Sequence, residues 1–173
     1  GVWKAPANIS LANVISPVLL INDALQADMN IDATTGKSVN VIRNFTNLGA
    51  LIWGARTLDG NNMDWRYINV RRTAIMIEQS IQLALKAFVF EPNDANTWLT
   101  IKSMIENFLF NIWKQGGLAG SKPEHAYHVS IGLGVTMTEQ DIRDGLLNIS
   151  VMLAMIRQAE FIVITLQQQL QES

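Results

Sequence analysis

The opening of the chain, up to Pro17, is polar and without a period, and reads as extended chain. The apolar run Val18, Leu19, Leu20 and Ile21 that follows is short and suits a buried strand. Residues 30–38, with Asp32, Thr34, Thr35 and Gly36, mark a loop. Ser38 is placed to cap a short helix carrying Val39, Ile42 and Phe45, with Gly49 ending it. Residues 50–55 are apolar and bounded by Gly49 and the polar loop Asp59-Gly60-Asn61-Asn62, the usual look of a central strand.

Two helical stripes follow. Ile77, Ile81, Ala84, Leu85 and Phe88 recur at helical spacing, and Pro92 separates them from the next stripe. The second helix starts near Asn93 or Asp94 and puts Trp98, Ile101, Ile105, Phe108, Leu109 and Ile112 on one face, before Gly116-Gly117 stop it. Met104, Phe110 and Trp113 lie off that stripe, which predicts a helix packed on two sides. The last third changes period. Tyr127, Val129 and Ile131 alternate with His128, Ser130 and Gly132, and Leu147, Ile149, Val151, Leu153 and Met155 alternate with smaller or more polar neighbours, which predicts two strands. Residues 161–166 are apolar on both faces and precede a glutamine-rich tail. A two-faced apolar strand at the chain end predicts donation to another chain's sheet edge.

The fold class is therefore α+β: a mixed β-sheet packed with two long helices, with the C-terminal strand donated to a neighbouring subunit. The 173 residues form one domain. Charged residues are only 16% of the chain against 49% hydrophobic, and the net charge is −2. That balance leaves apolar and neutral surface for other chains and argues against a polyanion or an anionic membrane as partner. No apolar stretch approaches the roughly 20 residues that span a bilayer. With no cysteine there is no thiolate metal site, thiol nucleophile or disulfide. The start at Gly1, without an initiator Met or signal peptide, suggests a piece of a longer chain.

The chemical motifs fail on spacing. Thr34-Thr35-Gly36-Lys37-Ser38 has the ending of a phosphate loop, but Ile31 stands where the first glycine is needed and no buried strand precedes it. Gly132-Leu133-Gly134 has Met137 in the third glycine's place and reads as a turn. His125 and His128, beside Glu124, point to opposite faces of a strand and lack a third ligand. The arginines Arg56, Arg66, Arg71 and Arg72 lie near Trp53, Trp65 and Tyr67, a pattern that can bind single-stranded nucleic acid. Asp59, Asp64 and Glu78 nearby favour carboxylate pairing and ring stacking instead. Neither metal, cofactor nor catalytic residue is assigned. A nucleic-acid or small-ligand domain built on Arg66, Arg71 and Arg72 is the alternative reading.

A series of segments in order resembles the C-terminal domain of contractile tail sheath proteins of phages, tailocins and extracellular contractile injection systems. The opening motif appears as Gly1-Val2-Trp3-Lys4-Ala5-Pro6-Ala7-Asn8, followed by Val39-Asn40-Val41-Ile42-Arg43-Asn44-Phe45. The most specific piece is Ile52-Trp53-Gly54-Ala55-Arg56-Thr57-Leu58 with Trp65-Arg66-Tyr67-Ile68-Asn69-Val70-Arg71-Arg72. Phe90-Glu91-Pro92-Asn93 with Thr97-Trp98, then Gly116-Gly117-Leu118-Ala119-Gly120, and Ala159-Glu160-Phe161-Ile162 complete it. Gln158 departs from a usual proline and loosens the hinge before the last strand.

The resemblance implies a structural subunit, not an enzyme, that stacks as six-membered rings around an inner tube and contracts to drive the tube through a target envelope. It implies that terminal arms add strands to neighbours' sheets, with the extended sheath a stored, metastable state. The donated strand would comprise Phe161, Ile162, Val163, Ile164, Thr165 and Leu166, extended by Gln167, Gln168 and Gln169. Val18, Leu19, Leu20 and Ile21 are the expected receiving strand, and Lys114 and Lys122 the expected tube contact. Implied partners are other copies of the subunit, the tube protein, and baseplate and terminator proteins, with no nucleic acid and no direct membrane contact. The implied place is a phage tail or tail-like particle assembled in the bacterial cytoplasm, with later release outside the cell left open.

Overall fold

A computed structural model describes residues 1–164 of the chain. The elements run β1 (Ile9–Ser10), α1 (Asp23–Asn30), β2 (Val41–Phe45), β3 (Gly49–Trp53), α2 (Ile68–Leu85), α3 (Ala95–Lys114), α4 (Pro123–Ala126), β4 (Tyr127–Ile131), α5 (Glu139–Arg143) and β5 (Ile149–Leu153). The expected α+β mixture with two long helices is present. Its strands form two small antiparallel sheets, one ordered β1-β3-β2 and the other β4-β5.

The helix expected around Val39, Ile42 and Phe45 is instead strand β2. Val39, Val41 and Ile42 are β-branched, and the turn after them is built for a hairpin. Asn47 and Gly49 both sit at positive φ, +66° and +74°, and the Leu48 N–H donates to the Phe45 carbonyl. The hairpin pairs Val41 with Trp53 and Ile42 with Ile52, and stacks Phe45 on Trp53 with ring centroids 4.5 Å apart. Gly49 thus opens β3 rather than closing a helix. The Ser38 hydroxyl caps nothing and donates to the Asn30 carbonyl. Val18, Leu19, Leu20 and Ile21, expected as a buried strand, belong to no strand among the described residues, and Val18 is fully exposed. No neighbouring strand is positioned to pair with them, and an isolated apolar run next to a proline has no hydrogen-bond ladder to join.

Both long helices follow their stripes. Asp94 caps α3 by accepting from the Thr97 N–H, and Ile101, Ile105, Leu109 and Ile112 are buried along one face. They meet Ile77 of α2, Val129 of β4, Leu118 and Ala126 in a single core. Of the three off-stripe residues, Met104 and Trp113 pack against the same core, whereas Phe110 is exposed and lies against the Trp113 ring, so the expected second packed side is only partly present. The Trp113 indole N–H donates to the Gly120 carbonyl, closing the loop between α3 and α4. Gly117 in that loop has no room for a side chain: a Cβ would lie 2.5 Å from Ile112 Cγ2. The inward residues of β4 and β5 rest on α2 and α3, while His128, Ser150 and Met152 face outward.

Candidate assembly surface

The chain after β5 is fastened in steps. The Ala119 N–H donates to the Ala154 carbonyl, and the Ala154 N–H to the Ala126 carbonyl, both at 2.8 Å. Asn69, buried at the start of α2, donates its side-chain amide to the carbonyls of Ile156 and Trp3. Glu160 then meets Arg56. The carboxylate accepts from Arg56 Nε at 2.9 and 3.1 Å and from an Nη at 2.7 Å, with the Tyr67 hydroxyl at 3.3 Å. Arg56 is only 4% exposed and is itself positioned by Asn40, whose side chain accepts from the Arg56 N–H and donates to the Arg56 carbonyl. A fork-to-carboxylate pair of this kind fixes direction as well as distance. The hinge expected to loosen at Gln158 is therefore braced on both sides, at Ile156 and at Glu160.

Past Glu160 the fastening stops. Phe161, Ile162, Val163 and Ile164 are 72%, 82%, 88% and 77% exposed and belong to no strand. Thr165, Leu166, Gln167, Gln168 and Gln169, the rest of the expected donated strand, lie outside the described residues. Four consecutive large apolar side chains in water are the reverse of what a chain end does for its own fold.

A groove of about 670 Å³ lies between α2 and β5. Its walls are Val70, Ala74, Ile77, Ile81 and Leu85 of α2 and Ile149, Val151 and Leu153 of β5. Among the described residues β5 pairs only with β4, so its other edge carries main-chain donors and acceptors with no strand opposite. Arg157 and Asp64, paired at 3.3 Å, stand at one end. From Val70 to Leu85 the helix rises about 22 Å. An extended segment the length of residues 161–166 spans about 20 Å.

The other expected residues are scattered. Lys114 ends α3 and Lys122 precedes α4, both exposed on either side of the 116–120 loop. Arg71 stacks on Trp65 and Arg66 on Tyr67, at 4.8 and 5.1 Å from the ring centroids, so two of the three arginines of the nucleic-acid reading are occupied by their own chain's rings. Asp59, Asp64 and Glu78, their expected partners, pair with none of them among the described residues; Asp64 pairs with Arg157. Thr34 to Ser38 form a turn in which Asp32 accepts from the N–H groups of Thr34 and Thr35, holding its carboxyl below the usual range. Gly132 and Gly134 form the other expected turn, at positive φ. His125 sits in α4 and His128 on the outward face of β4, and the described residues hold no group of three metal-ligating side chains.

Sequence reading missed the Arg56–Glu160 pair and the groove. The pair joins residues 104 positions apart, and no local period signals it. The groove had one signal: Ile81 and Leu85 continue the α2 stripe beyond what α3 covers.

The model of the phage tail sheath C-terminal domain family matches residues 61–169. The tail sheath protein of Vibrio phage KVP40 is 29% identical over 116 residues, 67% of this chain and 17% of that protein. A chain of the PVC sheath complex, from an extracellular contractile injection system in the contracted state, superimposes with a TM-score of 0.91 at 46% identity, covering 98% of this chain and 46% of its own length. A chain of the anti-feeding prophage (AFP) baseplate superimposes with a TM-score of 0.90 at 43% identity, again covering 98% of this chain and 46% of its own. This chain thus spans less than half the length of these structural relatives.

Proposed function

The chain belongs to the phage tail sheath C-terminal domain family, and from that premise we propose that it is the C-terminal domain of a longer subunit of a contractile sheath. Subunits polymerise as stacked six-membered rings around an inner tube, and contraction drives the tube through a target envelope. The role is mechanical, and no substrate or cofactor enters it. The particle is a phage tail or tail-like injection system, with baseplate, tube and terminator proteins as its other contacts. Identity of 46% to a PVC sheath-complex chain and 43% to an AFP baseplate chain supports this placement.

One observation carries the reading. Among the described residues the same chain offers an open β5 edge above an apolar groove and, beyond Glu160, the exposed apolar residues Phe161 to Ile164. Donation of the segment from one copy to the groove of the next pairs the open edge and buries both apolar surfaces. The receiving edge in this reading is β5 in place of Val18, Leu19, Leu20 and Ile21, which form no strand among the described residues. Because each arm is fastened at Arg56–Glu160 and Phe161 to Ile164 beyond it are exposed, neighbours stay linked while subunits rotate.

Deleting residues 161–173 from the full-length subunit should abolish sheath cylinders in negative-stain electron microscopy. Normal cylinders from that variant would end the strand-donation reading. Lys114 and Lys122 flank the glycine loop at the end of α3 and are the proposed tube contact. Reversing both charges should weaken co-assembly with tube protein; unchanged sheath-on-tube assembly would remove them from the interface.

A further inference from the structure

Residues 88–91 form a turn in which the Glu91 N–H donates to the Phe88 carbonyl at 3.2 Å. Val89 occupies the second position with φ −66° and ψ 129°, and Phe90 the third with φ +72°. That is a type II turn, whose third position calls for glycine or asparagine because a side chain there is strained against its own backbone. Phenylalanine breaks the rule at the place where it costs most. It gains nothing inside the chain for doing so, since its side chain is completely exposed (102%). Local rules broken without a compensating contact in the subunit point to a contact made outside it.

The position says which contact. A second cavity, of about 550 Å³, is lined by Phe88, Phe90, Asn93 and Leu147 and shares Leu85 and Ile149 with the groove between α2 and β5. The two adjoin at Leu85 and Ile149, near the end of α2, and Phe90 is part of the lining of the second. A donated strand of six residues running through the groove from its Val70 end toward Leu85 would bring the residues that follow it to the cavity that Phe90 lines. We infer that Phe90 closes over the end of the segment 161–173 donated by a second copy and fixes how far that strand enters. This rests on the strand-donation reading and adds to it a specific residue, outside β5, that sets register.

The test uses full-length subunits carrying the photoreactive p-benzoylphenylalanine in place of Phe90. Assembled from a mixture of isotopically light and heavy copies and irradiated, they should give adducts joining position 90 of one copy to a peptide within 161–173 of another. Adducts confined to a single copy, to another region of the neighbour, or equally abundant without assembly would overturn the inference. Phe90→Gly and Phe90→Asn supply an independent readout of opposite sign. The isolated subunit should melt at the same temperature or up to about 2 °C higher, because the turn is relieved. The protein concentration needed for sheath assembly should rise about ten- to a hundredfold. Unchanged assembly, or a melting temperature several degrees lower, would return Phe90 to a role inside its own chain. If deletion of 161–173 abolishes assembly while Phe90→Gly assembles as the parent does, strand donation stands and the role of Phe90 falls. Normal assembly of the deletion variant removes both.

Discussion

Glu160 is the last fastened residue before the exposed segment Phe161 to Ile164. Its carboxylate is held by two nitrogens of a guanidinium that is 4% exposed, and among the described residues no other carboxylate pairs with that guanidinium. Removing the charge of Glu160 leaves Arg56 buried and unpaired, which costs more than the pair itself contributes. Glu160→Gln should destabilise the chain by about 2–4 kcal/mol, read as a lower urea midpoint, and should speed hydrogen exchange at residues 157–164. Asp141 presents a different case, an exposed carboxylate in a capping box. It accepts from the Thr138 N–H and hydroxyl, each at 2.7 Å, and these bonds, the main-chain one first, hold its pKa below the ordinary value. A carboxyl whose pKa is depressed by folding adds stability that is full above its unfolded pKa, near pH 4, and is lost as pH falls through the folded value. The melting temperature of Asp141→Asn should therefore lie below that of the parent at neutral pH, with the gap closing below about pH 4. A gap that stays constant down to pH 2 would mean that the carboxylate's charge contributes nothing.

Among the elements, α3 is the keel. Its buried face of Ile101, Ile105, Leu109 and Ile112 touches both sheet and neighbouring helix, so a truncation there opens a void the surroundings cannot close. Leu109→Ala, at a side chain with no exposure, should cost about 2–5 kcal/mol, measured by chemical denaturation. The helices and strands of the second half were legible from residue pattern alone: the α2 and α3 stripes have helical spacing, and β4 and β5 alternate cleanly because one face is buried and the other is not. The region of β2 was misleading for a definite reason. Val39, Ile42 and Phe45 recur every third residue, which suits a helix, and the β-branched residues suit a strand; the hairpin partner β3 decided it. Residues 18–21 show the converse: an apolar run makes a strand only where another strand faces it.

For the whole molecule, the groove between α2 and β5 and the exposed residues Phe161 to Ile164 are separate apolar surfaces of one chain. Phe161 to Ile164 bury almost nothing, so the isolated subunit lacking residues 161–173 should keep its melting temperature within about 2 °C of the parent; a fall of several degrees would mean that the arm packs on its own chain. Composition had already pointed to assembly, since a chain with 16% charged residues has little ionic surface to stay apart from other chains. The sequence by itself determined the helical core, the β4 and β5 alternation, the family, and the two-faced apolar segment near the C-terminus, because each is written in short-range periods or contiguous motifs. Only the tertiary structure decided that among the described residues β5 leaves an open edge over an apolar groove, that Arg56 reaches Glu160 across 104 residues, and that Phe90 stands exposed and strained beside the adjoining cavity. Those are relations between residues far apart in the chain, and no local pattern encodes a distance that folding alone creates.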